Sequence, residues 1–351
     1  MRIRYLFIVF FTLPFYPIFT QEDPRFTLSP WLQPFYNPGA MGENDYHLNF
    51  TGILRQHSFL SYEAPKENSD KDASNDDGKK NKGTATNGEQ ILLNIDSYIK
   101  QIKGAVGIMF LKDKNTSYFD NIGFKVGYAS KIRIRGGKLG IGVQLGFMNI
   151  KVAESNFNPI ETDDNTLNLL KGSDSFLDFD MNIGLHYSAP NWYVGASCTQ
   201  LLGGVRISGE TKTLKKTPQQ MYFTGGYIWN LNTAVPWTVE PHALIKTNFK
   251  SWTLDLMALA RYNGILWFGL SYQVDWAIAV LFGAVPFYNS TNNYLKGIEL
   301  GLSYSFPTTK LGYRQGGSMG DFEILVRYGF NFYKEKALTG YGSSRHLYKN
   351  Q

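Results

Sequence analysis

Residues 137–149 read GKLGIGVQLGFMN, and their spacing decides the fold. Leu139, Ile141, Val143, Leu145 and Phe147 fall two apart, with Gly140, Gly142, Gln144, Gly146 and Met148 between them. A period of two marks a β-strand, because successive side chains point to opposite faces. Glycine weakens a strand interior, so a glycine at almost every second place needs a reason. One face of this strand is continuously apolar and the other is nearly bare.

The pattern recurs. In NIGFKVGYA (121–129), Ile122, Phe124, Val126 and Tyr128 oppose Asn121, Gly123, Lys125 and Gly127. In DMNIGLHYS (180–188), Met181, Ile183, Leu185 and Tyr187 oppose Asn182, Gly184 and His186. WTVEPHALIKTNF (237–249) sets Trp237, Val239, Ala243 and Ile245 against Glu240, His242 and Lys246. WTLDLMALARYN (252–263) sets Trp252, Leu254, Leu256 and Tyr262 against Asp255 and Arg261. GIELGLSYSF (297–306) and DFEILVRYGFNF (321–332) do the same with Glu299, Glu323 and Arg327 on the polar side.

The second face decides the class. A soluble sheet turns its apolar face inward and a polar face to water. Here the polar face mixes Gly and Ser with single mid-strand charges, and the apolar face ends repeatedly in Trp or Tyr, as at Tyr128, Tyr187, Trp192, Trp237, Trp252, Tyr262 and Tyr304. Lipid outside, a crowded polar lumen inside and aromatic girdles at both interfaces define a transmembrane β-barrel. Only closure lets strands satisfy their backbone groups in hydrocarbon. The bare glycine face then points into the lumen, where small residues leave room for neighbours and for a plug.

The periodic runs predict an all-β, antiparallel transmembrane barrel with strands near 44–60, 88–97, 104–112, 119–134, 137–154, 176–189, 191–207, 217–232, 236–249, 251–263, 265–277, 278–288, 295–308 and 320–333. That is fourteen, an even number as such barrels require, and twelve if the irregular second and twelfth runs fail. The barrel is expected over 44–334, with a polar tail at 335–351. Within it, 62–90 reads as a disordered loop, dense in charge of both signs and poor in apolar residues. Shorter polar loops fall at 155–175 and 208–218.

The chain opens MRIRYLFIVFFTLPFYPIFT, with Arg2 and Arg4 before an apolar run. That layout predicts a signal peptide over 1–20, cut between Thr20 and Gln21. No later apolar run is long enough for a membrane helix. Residues 21–43 form an irregular segment rich in Pro and aromatics. Phe26, Trp31, Phe35 and Tyr36 would be exposed apolar groups unless the segment plugs the lumen or meets a partner. The 35 Lys and Arg against 29 Asp and Glu leave a net charge of +6, small for 351 residues, and an exported chain offers no case for nucleic acid. With one cysteine, Cys198, an internal disulfide framework is excluded.

Chemistry finds little support. The five histidines, His47, His57, His186, His242 and His346, show no metal-ligand spacing, and no cofactor or catalytic set is expected. His186 and His242 read as lumen residues that hydrogen-bond in place. GGKLGIG lies within a strand and opens no helix, so it fails as a phosphate loop. Arg55, Lys125, Glu240, Lys246, Asp255, Arg261, Glu299 and Arg327 would form a lumen charge network. Both signs are present, whereas a selectivity ring prefers one, which points to a filled lumen.

QEDPRFTLSPWLQPFYNPGAMG (21–42) resembles the mature start of the PorP/SprF family, outer-membrane proteins of the type IX secretion system in gliding and secreting bacteria of the Bacteroidetes group. Gln21, Pro24, Phe26, Pro34, Asn37, Pro38 and Gly42 fall on the family pattern. LRQHSF (54–59) is similar to its first-strand motif at Arg55, with Gln56 one place early and the Trp missing. DFDMNIGLHYSAPNWYVGASCTQLL (178–202), VEPHALIK (239–246), WFGLSYQ (267–273) and the closing pair ELGLSYSF and GGSMGDFEILVRYGF (299–330) continue the likeness in order. Such barrels are associated with secretion or surface display of cargo. The resemblance implies a non-enzymatic partner or anchor in the outer membrane, for a cargo's C-terminal domain or for periplasmic components. The contact residues would be Pro24, Phe26, Trp31, Pro34, Phe35, Tyr36, Asn37 and Pro38. The alternative is a transporter of small or apolar solutes gated by the same segment.

Overall fold

Alternation in sequence becomes alternation in burial. Along residues 141–145, Ile141, Val143 and Leu145 are 41–51% exposed while Gln144 between them is 1% exposed. The computed structural model describes residues 24–43, 47–57, 88–114, 119–152, 175–202, 205–207, 219–231, 236–290, 292, 295–308 and 320–330. The expected signal peptide, most of the 62–90, 155–175 and 208–218 loops and the tail lie outside the described residues. Glu89 and Gln90, where the expected 62–90 loop overlaps the strand expected near 88–97, belong to the strand, and Ser175 of the second loop belongs to a strand as well.

The strands are β1 (Leu48–Gln56), β2 (Glu89–Ile99), β3 (Gly104–Lys114), β4 (Phe119–Ile134), β5 (Gly137–Val152), β6 (Ser175–Ser188), β7 (Trp192–Thr199) and β8 (Val205–Ile207). There follow β9 (Gln220–Tyr227), β10 (Trp229–Leu231), β11 (Trp237–Thr247), β12 (Trp252–Tyr262), β13 (Leu266–Gln273), β14 (Ala277–Ala284), β15 (Ile298–Pro307) and β16 (Asp321–Phe330). Neighbours in sequence pair antiparallel, β1 pairs β16, and β9 pairs β11. The short β8 continues the line of β7 along β6, and β10 continues β9 along β11. The result is a closed fourteen-stranded antiparallel barrel. Closure matters physically, because an open edge would leave unpaired amides in lipid.

The outer surface carries the aliphatic row found in sequence. Leu185, Leu270, Ile278, Phe282 and Leu302 are each more than 40% exposed. Trp192, Trp252 and Tyr262 stand in the outward rows at strand ends, and Tyr128 stands in the outward row further inside β4. The two ends differ. One receives the chain before β1 and releases it after β16, with short turns such as 135–136 and 189–191. The other carries the long connections 57–88, 153–174 and 308–320. These are the terminus end and the loop end below. Short turns characterise the periplasmic side of outer-membrane barrels.

Candidate functional site

The lumen is where the chemistry collects, and residues 24–43 lie in it. Proline punctuates this segment into turns: Ser29–Leu32 and Pro38–Ala40 are 3-10 turns, with a single α-turn over Gln33–Tyr36 between them. Each turn has a proline in its first two positions, where the absent N–H would have no partner in any case. Pro24, Pro34 and Pro38 are buried. Phe26 is 0% exposed, Trp31 7%, Phe35 5%, Tyr36 2% and Asn37 1%. The segment runs from near the loop end, where Thr27 meets β15 and β16, to the terminus end, where Glu43 meets β4 and β6.

One wall receives it by shape. The backbone of Pro38 and Gly39 presses on β5 and β6 so closely that a methyl group on Gly140, Gly142 or Gly184 would collide with Gly39, Pro38 or Asn37. Met41 fills the space above Gly107 and Gly127 in the same way. This is the reason for Gly140 and Gly142 in GKLGIGVQLGFMN, whereas Gly146 leaves room for the Lys125 side chain. Asn37 fixes the register: its Nδ2 donates to Leu185 O at 2.8 Å, and its Oδ1 accepts from Gly39 N at 2.9 Å. Ser197 Oγ donates to Tyr36 O at 2.6 Å.

The opposite wall receives it by charge. Glu323 accepts from Thr27 N at 2.7 Å and from Leu28 N at 3.0 Å. Arg55 backs that carboxylate at 3.5 Å and pairs with Asp321 at 2.6 Å. Arg25 of the segment pairs with Asp255. Below them lies a buried chain of alternating sign, with Arg261 bonded to Glu240 at 3.2 Å and to Glu299 at 3.5 Å, and Glu299 bonded to Arg327 at 3.2 Å. Arg261 is 0% exposed, so pairing is what makes its burial tolerable.

Between the walls the lumen is apolar. Phe26, Leu28, Trp31, Leu32, Phe35 and Tyr36 pack with inward Ile53, Leu92, Leu259, Leu281 and Leu325 into one cluster. Trp31 lies on Trp267 with ring centroids 4.6 Å apart, and Trp267 occupies space that Gly283 and Gly301 leave open. The expected polar lumen is therefore corrected at this depth: the segment brings aromatic side chains, and aliphatic wall residues meet them, as in a soluble core. A cavity of about 10 Å³ remains beside Gln33, Tyr193, His242 and Asp255, room for about one water.

The expected charge residues thus separate. Arg55, Glu240, Asp255, Arg261, Glu299 and Arg327 belong to the charged wall. Lys125 sits across the lumen, 3.7 Å from Asp180, and Lys246 stands 5.9 Å from the Tyr222 ring centroid. His186 and His242 flank Tyr193, whose hydroxyl is 3.2 Å from His242 Nδ1. Sequence reasoning missed Glu43 and Lys131. Lys131 Nζ bonds Glu43 at 2.6 Å and Gly39 O at 2.9 Å, and Ser188 donates to Glu43 at 2.6 Å. Burial alone would raise the Glu43 carboxyl, but Lys131, His186 and Ser188 hold it down at about 2. Extending the alternation of β4 past Gly127 would have placed Lys131 inward. Among the described residues no group of three or more His, Cys, Asp and Glu side chains could hold a metal ion.

The family model described as type IX secretion system membrane protein PorP/SprF matches residues 81–328. No curated protein matches the sequence. Among solved structures, Omp33 of Acinetobacter baumannii is similar at 8% identity and a TM-score of 0.41, covering 81% of this chain and 98% of that one. The toluene transporter TbuX of Ralstonia pickettii gives 9% identity and 0.47, covering 86% and 93%. The toluene transporter TodX of P. putida gives 11% and 0.44, covering 85% and 93%.

Proposed function

Because the chain belongs to the PorP/SprF family of type IX secretion system membrane proteins, we propose that it works in that system as a docking barrel rather than as a solute pore. It is an outer-membrane β-barrel. Its proposed task is to anchor a secreted or surface-displayed cargo, through the cargo's C-terminal domain, or to hold periplasmic parts of the machinery.

The observation that carries this reading is the occupied lumen. Residues 24–43 bury six large side chains among the wall residues and are held at both ends by ion pairs or charge-assisted bonds. A bond to a charged group contributes about 1.5–3 kcal/mol, so releasing the segment requires breaking several such bonds together. A pore that opens on demand would be held more loosely. With the lumen closed by its own chain, the surfaces left for work are the two ends.

The test is affinity capture of the full chain from detergent-solubilised outer membrane. A secreted cargo domain or a periplasmic secretion component should be recovered with it. Recovery of neither, together with solute uptake that disappears on deletion while secretion continues, would overturn the proposal in favour of transport.

A further inference from the structure

The terminus end of the barrel is one-sided in charge. Two hairpins there read YIKQIKG (98–104) and SKIRIRGGK (130–138), and neither contains an acid. Lys100, Lys103, Arg133 and Arg135 are exposed. Among the described residues no exposed carboxylate lies at this end. Lys131 of the second hairpin turns inward to Glu43, which leaves the four outer cations facing water.

The hairpins form one surface. Lys131 N donates to Lys103 O at 3.0 Å, and Tyr128 Oη donates to Ile102 O at 3.1 Å. Lys103 and Arg135 hold left-handed backbone at φ 49° and 48°, where turns favour glycine or asparagine. A long cation therefore stands where local turn chemistry alone would choose something else. Crowding like charges on adjoining turns is unfavourable unless a partner of opposite sign offsets it.

Direction distinguishes the partner. Ile132 and Ile134, 43% and 39% exposed, continue the lipid-facing row of Val126 and Tyr128. Arg133 alternates with them and shares the face of Lys131, which overlooks the barrel mouth. A lipid would meet the isoleucines, whereas a chain approaching the mouth would meet the cations. We propose that the paired hairpins 98–104 and 130–138 form a docking surface for an acidic polypeptide segment on the periplasmic side. This rests on the docking-barrel reading and specifies the chemistry of its periplasmic partner.

The test compares the full chain with the quadruple variant Lys100→Gln, Lys103→Gln, Arg133→Gln, Arg135→Gln, both folded in detergent as judged by heat-modifiable migration. A fluorescent Glu/Ser-repeat peptide should bind the parent, weaken as salt rises, and bind the variant about tenfold less well. Equal binding to both would overturn the proposal. So would a variant whose only change is a lost preference for phosphatidylglycerol on reconstitution into vesicles, which would make the surface a lipid head-group site. If the parent captures a periplasmic secretion component and the variant captures it undiminished, the docking surface is refuted and the docking-barrel reading stands. Capture of no component by either protein, with peptide binding intact and variant-sensitive, would refute that reading and spare the surface.

Discussion

The β5–β6 wall and the β12–β16 wall of the lumen hold the same segment by opposite means. At β5 and β6 the strands give up side chains, so that backbone meets backbone at Gly140, Gly142 and Gly184. At β12 to β16 the strands supply long charged groups that reach across to Arg25, Thr27 and Leu28. The first wall specifies position through close fit: a side chain at Gly140, Gly142 or Gly184 would collide with Asn37-Pro38-Gly39. The second specifies it through bonds that weaken sharply if either partner moves. A segment gripped both ways has one place in the lumen, which suits a permanent closure better than a gate.

The walls should therefore fail differently. The largest effect is expected within the charged wall. Arg261→Met leaves Glu240 and Glu299 facing one another in a dry site, and breaking such a buried set costs about 3–5 kcal/mol. Urea unfolding in lipid vesicles measures it, and a loss under 1 kcal/mol would mean that water reaches the site. Next comes the glycine wall, where Gly142→Val drives a branched side chain into Pro38 and costs about 1–3 kcal/mol. Here the sharper measurement is protease sensitivity of the segment, which should rise while the barrel stays folded. A similar effect is expected of Glu323→Gln, whose one amide oxygen can accept from only one of Thr27 N and Leu28 N and whose amide nitrogen leaves the other buried N–H without an acceptor, at a cost of about 1–3 kcal/mol.

The smallest effect is a dependence on pH at the terminus end. The Glu43 carboxyl is held at about 2, below its ordinary 4.5, so its contribution is present above pH 4.5 and is lost as pH falls towards 2. Glu43→Gln should be less stable than the parent at pH 7, and the difference should vanish near pH 2. A difference that persists at pH 2 would assign the role of Glu43 to shape instead of charge.

Much of this was legible in one sequence because a lipid-facing strand obeys a period of two without interruption. Fourteen runs, the outward rows and the lumen glycines all follow from it. The apolar centre of the lumen was not legible. Inward Ile53, Leu92 and Leu325 adjoin outward Leu54, Leu93 and Val326, and two apolar neighbours erase the alternation that separates inside from outside. The ion pairs were hidden for another reason. Arg25 and Asp255 lie 230 positions apart, and closure of the ring, rather than local spacing, brings them together. The segment's aromatic residues signalled burial, but their sequence does not say which wall each meets.

The placement of residues 24–43 inside the barrel can be measured directly. Thr27 Oγ and Ser305 Oγ lie 2.9 Å apart. Thr27→Cys with Ser305→Cys, in a Cys198→Ser background, should form a disulfide in intact outer membranes under mild oxidation. The product should migrate as a looped monomer that reverts on reduction. Two cysteines that stay unlinked, each freely labelled by a bulky maleimide from outside, would put the segment elsewhere and leave the lumen open.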